Sequence, residues 1–282
     1  MNYGSKEVRE RVDVLASNQL KMLSRAYVRK LIDDGRITVN GEISKAGYRM
    51  KSTDKLEINF DPDEIEQIAD IELPVIYEDD NVIVVNKPSG VISHARGKFW
   101  NEPSVASFIR QKSGQEGERE GIVHRLDRAT SGVMICSKNP TTLAYLQKQF
   151  ADRATTKTYY AVIQGILDPA KAIIDMPITR NPKAPQTFRV GSNGKPSQTA
   201  YEITKGNTEY SLVKLTPLTG RTHQLRVHMA FQGHPVVGDT LYEGEVADRL
   251  YLHAISLTIN LPGDKAMTFE APLPQEFNKI TA

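Results

Sequence analysis

The chain has 282 residues, 39% of them hydrophobic and 25% charged, and a net charge of +2. That balance is ordinary for a folded domain protein, and no apolar run approaches the about 18 residues a membrane-spanning helix needs. A single cysteine, Cys136, excludes an internal disulfide framework and fits a reducing cytoplasm, and the start "MNYGSKEVRERVDV" lacks the apolar core of a secretory leader.

Charge is unevenly placed. Residues 1–60 hold 12 Lys and Arg against 8 Asp and Glu, 61–80 hold 9 acids and no base, and 81–282 hold 24 bases against 17 acids. Two basic blocks beside an acidic connector are what polyanion binding uses, though a small basic surplus is equally common on a solvated surface. In the first block, "VRERVDVLASNQ" spaces Val8, Val12 and Leu15 as a helix does. "SRAYVRKLIDDG" predicts a second helix with Ser24 as N-cap, Val28, Leu31 and Ile32 as the buried stripe and Gly35 as the stop. Arg25 and Arg29 share a face off that stripe. "RITVNGE" reads as a strand entering an Asn40-Gly41 hairpin turn, and "DKLEINF" closes a compact basic module over 1–60.

Arg11, Asp13, Leu15, Ser24, Arg25, Leu31, Gly35, Val39, Asn40 and Gly41 together make this module resemble the S-four RNA-binding domain. The resemblance implies that the second helix and the turn after it face RNA, with Arg25, Arg29 and Arg36 as phosphate contacts. A solubilising helix face is the plainer alternative for Arg25 and Arg29.

The acidic stretch "DPDEIEQIADIELP" reads as a linker over 61–73, and a second domain fills 74–282. Its predicted strands are Ile83–Val85, ending at a Lys87-Pro88-Ser89-Gly90 turn, then "REGIVHRL", "GVMICSK", "KTYYAVIQG" and "EYSLVKLTPL". "TTLAYLQKQFAD" and "THQLRVHMAFQGHP" read as helices, the latter with Thr222 as N-cap and Gly233 as stop. Strands without regular alternation with helices predict an α+β fold. The second domain is expected to be a mixed, largely antiparallel sheet with flanking helices, and the N-terminal module a small α+β unit. "QKSGQEGERE" is expected as an exposed loop, and Trp100 as a packing residue.

The loop "HRLDRATSG" between two apolar runs has an ordinary reading, in which Asp127, Thr130 and Ser131 merely cap a turn. Beside it stand "KTYYAVIQG", "TGRTHQLRVHMAFQGHP", "NKPSGVISHA" and "LYLHAISL". With these segments the second domain resembles the RluA-type pseudouridine synthases. From Val8 to about Pro272 the chain resembles the ribosomal-RNA members that carry an N-terminal S-four domain.

The resemblance implies an isomerase acting on RNA, specifically large-subunit ribosomal RNA. Asp127 is then the essential carboxylate, and Tyr159 meets the target base, with Lys157, Ala161 and Gly165 in register. Arg221, just after the turn glycine, pairs with Asp127. Arg125 fills the space left by a flipped nucleotide, with His124 beside it in the substrate-binding set. Arg226 is left to RNA binding or to the surface. After "VISHA" the family continues with a glycine-rich stretch, where this chain has "RGKFWNEPSVASFIRQK", so its recognition loop departs from the pattern.

The chemistry suits these residue types. Uridine becomes pseudouridine when the bond from ribose to ring nitrogen breaks, the base turns, and ring carbon 5 joins the sugar. No atom is gained or lost, so no redox cofactor is expected, and the sequence offers no closed metal site, so no metal is expected either. A carboxylate attacks the sugar or the ring, or removes a sugar proton, and the sequence leaves these routes open. The base must flip out of its stack, at a cost of a few kcal/mol, and stacking on an aromatic side chain returns about 1–3 kcal/mol. A cytoplasmic monomer with RNA as its partner and no membrane association is the expectation.

Two other readings compete. His223, His228 and His234 cluster in sequence as metal ligands do, but spacings of five and six match no zinc motif. A non-catalytic RNA-binding ribosome-assembly factor would explain the basic module alone, but has no need of Asp127, Tyr159 and Arg221 together.

Overall fold

The computed structural model describes residues 10–21, 23, 25–61, 71–94, 102–113 and 121–282. The expectations for Val8, for Ser24 as a cap, for Trp100, for most of the acidic linker and for most of the "QKSGQEGERE" loop lie outside the described residues.

The N-terminal module has its own core. Helices α1 (Val12–Gln19) and α2 (Arg25–Asp33) pack with strands β1 (Ile37–Val39) and β2 (Leu56–Ile58) around Val12, Ala16, Val28, Leu31, Ile32 and Ile37. Asn40 and Gly41 both take positive φ, 56° and 81°, as a two-residue hairpin turn requires. Val39 and Glu42 close it with reciprocal backbone hydrogen bonds. The left-handed Gly35 ends α2 as expected.

The larger unit is built on a mixed sheet of nine strands among the described residues. They are β3 (Val75–Glu78), β4 (Val82–Lys87), β5 (Ser131–Ser137), β6 (Thr156–Gln164), β7 (Lys171–Asp175), β10 (Gln198–Gly206), β11 (Tyr210–Pro217), β12 (Leu252–Leu261) and β13 (Lys265–Glu270). Their order is β3-β4-β5-β12-β6-β11-β10-β7, with β13 paired to the outer part of β12. Every pairing is antiparallel except β5 with β12. A separate hairpin, β8 (Ile178–Arg180) with β9 (Phe188–Val190), lies between β7 and β10 in the chain.

Alternation along β4 and β5 explains their unbroken apolar runs, since a strand covered on both faces has no polar side. Ile83, Val85, Met134 and Cys136 pack with Val105, Phe108 and Ile109 of α3 (Val105–Ser113). Val82, Val84, Val133 and Ile135 pack with Leu146 of α4 (Pro140–Ala151). A third cluster joins β6, β11 and β12 to α5 (Gln224–Phe231) and to Phe277 of α6 (Gln275–Ile280). The sheet is thus mixed and largely antiparallel with flanking helices.

Two local expectations need correction, and one helix was not expected. The described part of "REGIVHRL", from Gly121, is not a strand: Gly121 turns at φ 74°, and only Ile122 makes a bridge, to Cys136, before the chain becomes loop. Thr222 does not cap α5; the cap position is His223, in left-handed conformation at φ 55°. "SVASFIRQK" forms α3, opened by a reciprocal pair in which Ser107 Oγ accepts from Ser104 N–H and Ser104 Oγ accepts from Ser107 N–H.

Candidate active site

The "HRLDRATSG" loop is fastened from below by the "NKPSGVIS" segment. Lys87 is fully buried, and its ammonium donates to three carbonyls, those of Pro88, Val91 and Arg128. Burial pushes its pKa down to about 7, with the Asp127 charge opposing the shift. Ser89 Oγ donates to the Ala129 carbonyl, and Ser93 Oγ both donates to Leu126 O and accepts from Leu126 N–H. These bonds hold the residues on either side of Asp127, whose own carbonyl accepts from Thr130 N–H. Arg128 turns outward to pair with Glu102.

His124 sits under the loop rather than reaching out of it. Its Nε2 accepts from Ile135 N–H at 3.1 Å, and its ring stacks on Phe150 at 4.5 Å. Burial pushes its pKa down to about 3, so the ring is neutral at neutral pH. Arg125, the next residue, is exposed.

Above the loop is a cleft of about 310 Å³. His124, Arg125, Asp127, Tyr159 and Arg221, all singled out in the sequence, line it, together with Lys157, His223 and Arg226. Tyr159 lies on β6 between Leu215 of β11 and Ala254 of β12, and burial first, then the Asp127 charge, push its hydroxyl pKa up. Asp127 is the one acidic residue of the lining among the described residues.

The partner of Asp127 is not Arg221. Arg226 Nη1 lies 3.3 Å from Asp127 Oδ2, while Arg221 Nε donates instead to the Pro196 carbonyl at 3.2 Å. The reason is local geometry. The left-handed His223 redirects the chain into α5, so the first turn of that helix, and not the preceding turn, faces the loop. Arg226 is 8% exposed, and its Nε and Nη2 grip Asp239 bidentately at 2.7 Å each. Burial opposes its charge, but Asp239 and Asp127 outweigh burial and raise its pKa. A fork held on one side by a buried carboxylate offers its free Nη1 to Asp127 in a fixed direction. His223 Nε2 stands 3.6 Å from the same Oδ2. Of the two roles left to Arg226, RNA binding or the surface, the second is excluded by its place among Leu225, Val227 and Met229, on a helix buried nearly all round.

His223, His228 and His234 do not converge. His223 meets Tyr242, His228 meets Thr199 and the Met176 carbonyl, and His234 meets the Gln164 carbonyl. In the N-terminal module, Arg25 and Arg29 come together with Arg11 around the fully buried Asp13, all within 3.2 Å. Arg36 lies apart from them, its Nε donating to the Asn59 carbonyl.

A cleft large enough for one base, walled by a tyrosine and cations around a single carboxylate, is built for chemistry on a nucleotide taken out of its stack, and defines a nucleic-acid-modifying enzyme. Comparison with known proteins agrees. The family model described as RNA pseudouridylate synthase matches residues 81–231, and the S4 domain model matches residues 10–56. Ribosomal large subunit pseudouridine synthase C of Vibrio parahaemolyticus serotype O3:K6 is 31% identical, across 96% of this chain and 91% of its own length. Ribosomal large subunit pseudouridine synthase D of Borreliella burgdorferi is 35% identical, across 96% and 89%. The solved structure of human RNA Pseudouridylate Synthase Domain Containing 1 superposes with a TM-score of 0.63 at 28% identity, across 79% of this chain and 91% of that one. The chain belongs to the RNA pseudouridylate synthase family, in its RluA-type form with an S-four domain, and is an isomerase acting on RNA.

Proposed function

We propose that the chain isomerises uridine in large-subunit ribosomal RNA, with Asp127 as the reacting carboxylate. The observation that carries this reading is the placement of Asp127 alone among cations in a base-sized cleft, with Arg226 held against it by Asp239. The rRNA target rests on the names of the relatives above, two of which are ribosomal large subunit synthases.

Tyr159 supports the base beside Asp127. Arg125, exposed at the rim, enters the space that the flipped nucleotide leaves. Asp127 attacks the sugar or ring, or takes a sugar proton. In each route the base detaches, turns and rejoins through carbon 5, that carbon loses its proton, and the ring nitrogen released from the ribose gains one. His124 supports the loop, and Arg226 takes the pairing role expected of Arg221. Residues 1–60 form the RNA-docking module, 61–73 the linker and 74–282 the catalytic domain. Arg25, Arg29 and Arg36 contact phosphates. The setting is the cytoplasm, where ribosomal RNA is made and matured.

Asp127→Asn keeps the shape and removes the charge. Pseudouridine mapping of ribosomal RNA from cells carrying only this variant should show the target uridine unmodified, while the purified variant still binds RNA. Normal modification by the Asn variant would refute the role given to Asp127.

A further inference from the structure

Two basic side chains stand beside the same oxygen of Asp127, and one of them is hydrogen-bonded to it. Arg226 Nη1 donates to Oδ2 at 3.3 Å, and His223 Nε2 stands 3.6 Å from the same oxygen. Behind them stands one residue, Tyr242, which is 9% exposed. Its ring face carries the Arg226 guanidinium, centred 5.0 Å from the ring, and its hydroxyl lies 2.7 Å from His223 Nδ1.

The partners favour one arrangement of protons. The Tyr242 oxygen accepts the Phe188 N–H at 3.0 Å, and a backbone N–H can only donate. The hydroxyl's own proton is therefore free for its other partner, Nδ1 of His223. A neutral imidazole carries a single N–H, so an accepting Nδ1 leaves that proton on Nε2, the nitrogen that faces Asp127. Burial, only partly opposed by Asp127, lowers the His223 pKa and keeps the ring neutral. Its backbone sits at φ 55°, an uncommon value for a residue other than glycine. Strain of this kind concentrates where a side chain must be aimed.

We propose that Tyr242 is a positioning residue for the catalytic carboxylate: it fixes His223 as the Nε2–H tautomer and carries Arg226, so that Oδ2 of Asp127 is held and Oδ1 is presented to the nucleotide. The proposal rests on the reading of Asp127 as the reacting group. It adds that the two carboxylate oxygens have different tasks and that a tyrosine outside the cleft lining assigns them.

The test uses the full chain labelled with nitrogen-15 histidine. Long-range proton–nitrogen correlation spectra near neutral pH distinguish the two tautomers directly. The His223 signals are identified by their loss in His223→Asn, a residue that tolerates the left-handed backbone. The wild-type ring should be protonated at Nε2 and bare at Nδ1, and Tyr242→Phe should convert it to a mixture or to the other tautomer. Single-turnover rates at saturating RNA should fall about tenfold in Tyr242→Phe, the size expected for one lost hydrogen bond, with RNA affinity unchanged. A wild-type His223 protonated at Nδ1 overturns the proposal whatever the variant does. So does a wild-type rate in a folded Tyr242→Phe. An active Asp127→Asn would strike instead at the reading beneath it, and would leave the tautomer measurement standing.

Discussion

Arg226 and Arg221 lie five residues apart, and the structure gives them opposite circumstances. Arg226 bridges two carboxylates from a buried helix, while Arg221 leans on a backbone carbonyl at the cleft edge. Removing Arg226 strands Asp239, which is 2% exposed, and breaking such a pair costs roughly 3–5 kcal/mol. Arg226→Ala should therefore lose stability in denaturant titration and lose most single-turnover activity. Arg226→Lys should recover little, because an ammonium cannot form the fork. Arg221→Ala should be folded and closer to wild type in rate; equal loss from both would return Arg221 to the catalytic set. His124 carries a pH dependence of its own. Its folded pKa is depressed to about 3 from 6.5, so the unfolded chain binds the extra proton between those values. Stability from this group is complete above pH 6.5 and declines as the pH falls toward 3. His124→Gln should flatten that part of an equilibrium unfolding series against pH.

Elements meet closely where β5 and β12 run parallel, pairing Ser131 with His253 and Gly132 with Ala254. Gly132 has φ 117°, and a Cβ there would stand 2.2 Å from the Ala254 carbonyl oxygen. The glycine that ends "HRLDRATSG" thus lets the two parts of the sheet close beside the catalytic loop. Gly132→Ala combines backbone strain with overpacking and should cost about 3 kcal/mol or more, read from the denaturant midpoint. A midpoint equal to wild type would show that the sheet opens there easily. In the N-terminal module, the same kind of junction is polar. Asp13 is fully buried beneath Arg11, Arg25 and Arg29, and although burial opposes its charge, their hydrogen bonds hold its pKa below the usual carboxylate range. Asp13→Asn removes a negative charge from a basic surface, which simple charge counting says should tighten RNA binding. Loss of the shared anchor should instead scatter the three guanidiniums and weaken it, as a filter-binding titration on the folded variant would show.

The molecule as a whole joins two separately cored units, each with its own cluster of cations, around Asp13 in one and around Asp127 in the other. Deleting residues 1–60 should weaken RNA binding and flatten its salt dependence, since each lost phosphate contact lowers the log–log slope by about 0.7–0.9. An unchanged slope would mean that the arginines of α2 are only a solvated face. Much of this organisation was legible in the sequence because its causes are local. Helical spacing marked α1, α2, α4 and α5, the Asn40-Gly41 pair marked a hairpin turn, and the apolar runs marked β4 and β5. The cleft residues of "HRLDRATSG" and "KTYYAVIQG" were legible only through the family resemblance those segments carry. The helix α3 was not marked because "SVASFIRQK" falls where the family resemblance puts a recognition loop, although Val105, Phe108 and Ile109 follow Ser104 at helical spacing. Which arginine meets Asp127 was decided only in three dimensions. The two residues of that pair are 99 apart in the chain, and their meeting depends on a left-handed histidine and a close β5–β12 junction. Spacing along a chain records which residues share a helix face or a strand face. It does not record which of two nearby side chains a single unusual backbone angle will turn toward a loop brought in from far away.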